Sequence, residues 1–217
     1  MPDEIIVRDN TIIHNFDRSL KHQAQHHPCW RKIYEAVFAD PIKTTISYHG
    51  DKVWDVERGI DRAVVFNNGK RKYIDEKVRW DYWPNRRTGG PDILLEYWSD
   101  EERRIDGWLT KKGCEADFLA YLIAPEGRAY VMPWEKLVRA FQRHGPRWIE
   151  ENPSLKYPDG LHRSPNRDGS RRWNSVWVPV PEEDILKAVE GAMCLTVDKF
   201  TIDESIALER RLKNSTR

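Results

Sequence analysis

Apolar and polar positions change period several times along the chain, and each change marks an expected element. From Asp17 to Ala39, apolar residues fall at Trp30, Ile33, Tyr34, Val37 and Phe38, the spacing of one helix face. Asp17 is placed to cap that helix, and Pro28 is where it kinks or splits. Thr44 to Tyr48 reads as a short β-branched strand, and Val53 to Val56, beyond the polar turn of residues 49–52, reads as a continuation of the sheet. Residues 59–66 and 70–80 flank the turn Asn67, Asn68, Gly69, which is a hairpin pattern. Residues 81–91 are loop by their proline and glycine, and Asp92 to Trp98 reads as a buried strand. Two more strands, in residues 116–125 and 128–134, are joined by Pro125, Glu126 and Gly127, and Trp134 to His144 reads as helix.

The order helix, strands, helix predicts an α/β (α+β) domain built on a central mixed β-sheet. Three regions are expected: a core over 1–145, a proline- and arginine-rich extended segment over 146–181, and a helical segment over 182–217 packed on the same domain. The middle region holds Pro146, Pro153, Pro158, Pro165, Pro179 and Pro181, six of the thirteen prolines, so it is read as a long loop. Helices are expected at about 182–192 and 203–212.

Composition narrows the class. Hydrophobic residues are 39% and charged residues 33%, too apolar for wholesale disorder and too polar for a membrane protein. The acidic N-terminus, without an apolar run, does not read as a signal peptide, so a cytoplasmic location with no membrane partner is expected. Cys29, Cys114 and Cys194 are odd in number and widely spaced, which argues against a disulfide framework or a zinc ribbon. Net charge is only +1, so nucleic-acid contact has to come from local patches. Arg163, Arg167, Arg171 and Arg172, with Trp173 or Trp177 to stack on a base, form one such candidate; a plain surface loop is the alternative.

The chemistry concentrates between Asp61 and Lys77. Alternate residues of a strand share a face, so Asp75 and Lys77 point one way, with Tyr73 and Arg79, while Glu76 points the other. If the hairpin loop is the odd-numbered Asn67, Asn68, Gly69 with Gly69 at positive φ, Asp61 falls opposite Asp75. A two-residue turn would set Asp61 opposite Glu76 instead. We expect the odd loop. Two facing carboxylates need a proton or cation between them, and oxygen ligands select a hard ion such as Mg²⁺, for which Mn²⁺ can substitute. A lysine beside them suits phosphoryl chemistry.

Asp61, a spacer containing a turn, then Asp75, Glu76 and Lys77 resembles the motif of the PD-(D/E)XK nuclease superfamily. The order of elements over roughly residues 17–145 is similar to small members found in phage and bacterial genomes. The resemblance implies a restriction-endonuclease-like core, Asp61 and Asp75 as metal ligands with the Glu76 backbone carbonyl, and Lys77 as the catalytic lysine. Ile60 stands where the superfamily name has proline. For the helix-borne acid of many members, Glu35 is a candidate. The expected function is a Mg²⁺-dependent phosphodiester hydrolase acting on nucleic acid, a DNA endonuclease, acting alone or as a homodimer. The rivals are a nuclease-fold module that binds nucleic acid or protein without cutting, and a phage structural or regulatory protein.

Three further readings stay open at this point. Glu96 is either an added ligand or a salt-bridged acid at a strand end. Arg79 either holds a phosphate or pairs with Glu96 or Asp61. His22, His26 and His27 with Cys29 are read as a solvated polar face rather than a zinc site.

Overall fold

The computed structural model describes residues 14–15, 27–79, 88–151, 161–168 and 171–198. In chain order they form β1 (His14–Asn15), α1 (His27–Val37), β2 (Ile42–Ser47), a π-helical turn (Lys52–Glu57), β3 (Arg62–Phe66), β4 (Arg71–Arg79), β5 (Asp92–Asp100) and β6 (Ile105–Asp106). These are followed by β7 (Phe118–Ile123), a 3-10 turn (Ala124–Glu126), β8 (Arg128–Pro133), α2 (Trp134–Glu151), β9 (His162–Asp168), β10 (Arg171–Pro181), α3 (Glu182–Ala188) and β11 (Met193–Thr196). The protein is mixed α and β, as expected. No helix among the described residues is long and apolar enough to cross a membrane.

The chain divides into two compact units, and the division cuts across the sequential one expected. One unit takes residues 20–83, 113–137 and 186–217; the other takes 1–19, 84–112 and 138–185. Residues before 145 are thus shared between the units. The stretch 146–181 is not an extended segment apart from them, because it carries β9 and β10. The helix expected at 203–212 and the first turns of the helix expected from Asp17 lie outside the described residues.

The first unit is built on a six-stranded mixed sheet in the order β11-β8-β7-β4-β3-β2. Among the described residues of this sheet only β4 and β7 pair in parallel, and a parallel pair needs a long connection, here the one between Arg79 and Phe118. On α1 the buried residues Cys29, Trp30, Ile33 and Tyr34 recur at helical spacing. They pack on Val64 and Phe66 of β3, Ile74 of β4, and Ala120 and Leu122 of β7, which are alternate residues and so one face of the sheet. Trp30 and Tyr34 stack at 6.2 Å between ring centres.

The hairpin has the odd loop. Phe66 and Lys70 exchange a bond from the Phe66 N–H to the Lys70 carbonyl at 3.0 Å, the Gly69 N–H donates to the Phe66 carbonyl at 3.0 Å, and Gly69 takes φ 81°. Arg62 then pairs with Ile74, Ala63 with Tyr73, Val64 with Lys72 and Val65 with Arg71.

Residues 53–56 do not continue the sheet. The Asp51 carboxylate accepts from the Val53 and Trp54 N–H groups, both at 2.9 Å, and starts a helical turn in place of a strand. Trp54 is held in that turn by stacking on Tyr48 at 4.7 Å and Tyr73 at 5.7 Å, with the Arg58 guanidinium 4.0 Å over its ring. Val53 and Val56 face outward as a result.

The second unit has a five-stranded sheet in the order β1-β9-β10-β5-β6. Its strand β5, read from the sequence as a buried strand of one central sheet, pairs with β10 and β6 in this second sheet. The prolines of β10 explain why this region reads as loop. Pairing with β9 ends at Trp177, so Pro179 and Pro181 lie where β10 has β5 on one side only, a position that tolerates a residue without an N–H.

Candidate functional site

The site lies in the first unit, where β3, β4 and the segment joining β2 to β3 bring ionisable side chains together. Register does the first part. The Asp61 N–H donates to the Ile74 carbonyl at 2.9 Å, just before the first registered pair, Arg62 with Ile74, and this brings the Asp61 side chain beside Asp75 and Lys77 at the end of the hairpin. Asp61 and Asp75 are both 3% exposed. Lys77, on the same face of β4, places Nζ 2.5 Å from Asp75 Oδ1 and 3.7 Å from Asp61 Oδ2. Its side chain is 23% exposed, so this corner of the cluster reaches solvent.

The opposite face of β4 receives Glu76, which is fully buried beneath α1. Its carboxylate accepts from Tyr34 Oη at 2.5 Å, from Arg62 through Nε, and from Arg62 Nη2 at 3.1 Å. Arg62 and Glu76 are diagonal neighbours on one sheet face, so the hairpin that brings Asp61 beside Asp75 also joins this pair. The Glu76 N–H donates to Asp61 Oδ2 at 2.7 Å. The run Asp75, Glu76, Lys77 is therefore split by strand alternation into a reactive-looking face and a clamped one.

His49 and Asp55 complete the cluster, and neither was singled out from the sequence. The Tyr48 N–H donates to the Asp61 carbonyl at 2.8 Å, extending the β2 and β3 ladder and leaving His49 at the strand ends. His49 Nε2 lies 2.9 Å from Glu76 Oε2 and its Nδ1 lies 3.2 Å from Asp61 Oδ1. The Nδ1 contact has ion-pair distance without hydrogen-bond alignment, which leaves a buried ring nitrogen with no aligned partner. The π-helical turn carries Asp55 back over the same place, where its Oδ2 accepts from the Gly50 N–H at 2.7 Å. One ligand-type atom from each of His49, Asp55 and Asp61 lies within 4.8 Å of the other two.

Electrostatics follow from this crowding. Asp61 and Asp75 titrate as a pair. Burial raises both, but Lys77 and His49 outweigh it at Asp61 and hold that carboxyl well below the usual range. At Asp75 burial and the Asp61 charge prevail over Lys77 and hold that carboxyl well above the usual range. Burial also opposes the charge on Glu76, yet Arg62 and His49 keep it lowered. Asp55 is raised, by burial first and by Asp61 second. For His49, burial favours the neutral ring, and the carboxylates of Asp61 and Glu76 overcome it to raise the imidazole to about 9.

That last shift makes a stability prediction for protein kept in EDTA. A folded-state value of about 9 against an ordinary 6.5 means that the His49 contribution is complete below pH 6.5 and is lost as pH rises through 9. Urea unfolding is expected to show wild-type stability falling between those limits by up to ~3 kcal/mol, and His49→Gln removing that slope. A flat wild-type profile across the window would contradict the assigned ion pairs.

The other sequence candidates are placed elsewhere. Glu35 is on the exposed side of α1, paired with Arg31 at 2.8 Å, and the inward residue of that turn is Tyr34. Glu96 belongs to the second unit, where its carboxylate accepts from the Trp108 N–H at 3.0 Å. Arg79 is buried at the end of β4. In the second unit Arg163 pairs with Glu101 at 2.6 Å, and Arg171 pairs with Asp100 at 2.6 Å with its guanidinium 4.8 Å over Trp173. Arg172 is exposed, and the Arg167 side chain lies outside the described residues, as do those of His22, His26 and His27. Cys29 is buried in the α1 face.

Comparison of the chain with protein-family models, with curated proteins and with solved structures finds no match.

Proposed function

We propose that the chain is a metal-dependent phosphodiester hydrolase acting on nucleic acid, with a restriction-endonuclease-like site and DNA as substrate. The observation that supports this most is the meeting of Asp61, Asp75 and Lys77 at the hairpin, with two buried carboxyl groups reached by one lysine ammonium. A divalent cation satisfies both acids at once, which a proton does only for one.

On this reading Asp61, Asp75 and the Glu76 backbone carbonyl would hold Mg²⁺, which would supply Lewis acidity toward a phosphodiester oxygen and a bound water. Lys77 has the reach and the solvent access to orient an attacking water or to offset charge developing on the phosphoryl oxygens. The Glu76 side chain does no chemistry. Clamped by Tyr34 and Arg62, it fixes the backbone between Asp75 and Lys77 and so the geometry of both.

Wild-type protein incubated with supercoiled plasmid, linear duplex and single strands is expected to nick or cut with Mg²⁺ or Mn²⁺ and to stop in EDTA. Conversion of supercoiled to open or linear plasmid marks an endonuclease. No cutting with either ion on any substrate would sink this reading in favour of a module that binds without cutting.

A further inference from the structure

The two oxygens of Asp61 face different surroundings. Oδ2 is on the side of Lys77 and the Glu76 N–H, at 3.7 Å and 2.7 Å. Oδ1 is on the side of His49 Nδ1, at 3.2 Å. A cation held between Asp61 and Asp75 therefore leaves the His49 side of Asp61 unused, and that side has its own set of donors in His49 and Asp55.

We propose that His49 Nδ1, Asp55 and Asp61 form a second cation position, distinct from the Asp61 and Asp75 position, that takes a first-row transition ion such as Mn²⁺ in preference to Mg²⁺. Three carboxylate or imidazole groups near one another are not by themselves a site. What distinguishes these is the state of His49. Its side chain is only 9% exposed, its Nε2 is committed to the Glu76 carboxylate, and its Nδ1 is aimed at Asp61 without an aligned hydrogen bond. A histidine with a purely structural role has both nitrogens aligned on partners, since leaving a buried polar atom unmatched is costly. A histidine ligand has one nitrogen oriented by a carboxylate and the other turned to the ion. His49 has the second arrangement.

The spacing is also suitable. The three donor atoms lie within 4.8 Å of one another, and side-chain rotation that brings neighbouring pairs to ~3–3.4 Å gives bonds of about 2.1 Å to a common ion. Asp55 reaches this place only because the chain makes a π-helical turn, a local irregularity that often accompanies functional sites. The nitrogen donor decides the class of ion. Mg²⁺ takes oxygen ligands and sheds water reluctantly, whereas imidazole suits the transition series. On binding, the ion takes the place of the proton on Nδ1.

This site does not depend on the chain being a nuclease, and the test separates the two. Mn²⁺ is titrated into the full-length protein in the presence of excess Mg²⁺ and followed by electron paramagnetic resonance, with electron spin echo modulation to detect nitrogen bound to the ion. Wild type and Lys77→Ala are expected to bind Mn²⁺ with imidazole modulation that changes when the histidines are ¹⁵N-labelled. His49→Gln is expected to lose the modulation and at least tenfold in Mn²⁺ affinity. Asp55→Asn, on a partly exposed turn and so less able to disturb folding, is expected to weaken affinity while keeping the modulation. Mn²⁺ bound without nitrogen coupling in the wild type, full displacement by equimolar Mg²⁺, or unchanged affinity in folded Asp55→Asn would each overturn the proposal. Nitrogen-coupled Mn²⁺ in a protein that cuts no substrate would leave this site standing and remove the hydrolase reading; Mg²⁺-dependent cutting without nitrogen coupling would do the reverse.

Discussion

Lys77→Ala is expected to lower Mg²⁺-dependent cleavage by about 10²–10³-fold, the range for removing one charged or hydrogen-bonding group aimed at transition-state charge. The loss should fall on kcat and leave KM for nucleic acid nearly unchanged, because the ammonium is one group among many contacts in the ground state. Metal affinity separates this role from a structural one. Lys77 sits 2.5 Å from Asp75 and 3.7 Å from Asp61, so its removal takes a positive charge away from the proposed ion and should leave Mg²⁺ binding as tight or tighter. Asp61→Asn removes an anionic ligand and should weaken ion binding together with cleavage. If Lys77→Ala cuts as fast as wild type, the lysine is only the counter-ion of a buried acid pair. If it abolishes ion binding along with cleavage, its role is to shape the site rather than to act in it.

How far the site could be read from the sequence depends on the kind of information that places each residue. The register of the hairpin was legible because it follows from counting across a three-residue loop whose Asn and Gly fix the turn. By the same count Arg62 and Glu76 share the helix-facing side, and two opposite charges on a buried face signal an internal ion pair; that signal was present and went unused. His49 and Asp55 were harder to find. His49 sits in a polar turn that looks like any surface loop, and Asp55 points to the site only through a π-helical turn that its apolar neighbours Val53 and Val56 disguise as a strand. Glu96 shows the opposite failure. Asp92 to Asp100 is a strand, as its pattern predicts, but periodicity says nothing of which sheet a strand joins, and this one pairs with β10. The strands over 162–181 were hidden by prolines and arginines whose tolerance depends on which edge of the strand is unpaired, a property of the partner rather than of the segment.

Glu76→Ala is expected to destabilise the protein by about 3–5 kcal/mol, the cost of breaking a buried ion pair from one side. Glu76 and Arg62 are 0% and 1% exposed, and truncating the carboxylate leaves the guanidinium without its counter-charge, Tyr34 Oη without its acceptor, and His49 Nε2 facing a gap. The size of the effect comes mostly from the stranded charge and less from the lost attraction. Two further variants check that account by chemical denaturation. Tyr34→Phe should cost less, about 1.5–3 kcal/mol, since it removes one hydrogen bond to the carboxylate and leaves the ion pair whole. Arg62→Leu combined with Glu76→Leu should be more stable than Glu76→Ala alone, because replacing both charges with apolar groups strands neither. A double variant no better than the single would mean that packing, not charge, governs the loss. Glu76→Ala with wild-type stability but without cation binding would instead move Glu76 from the framework of the site into its ligand set.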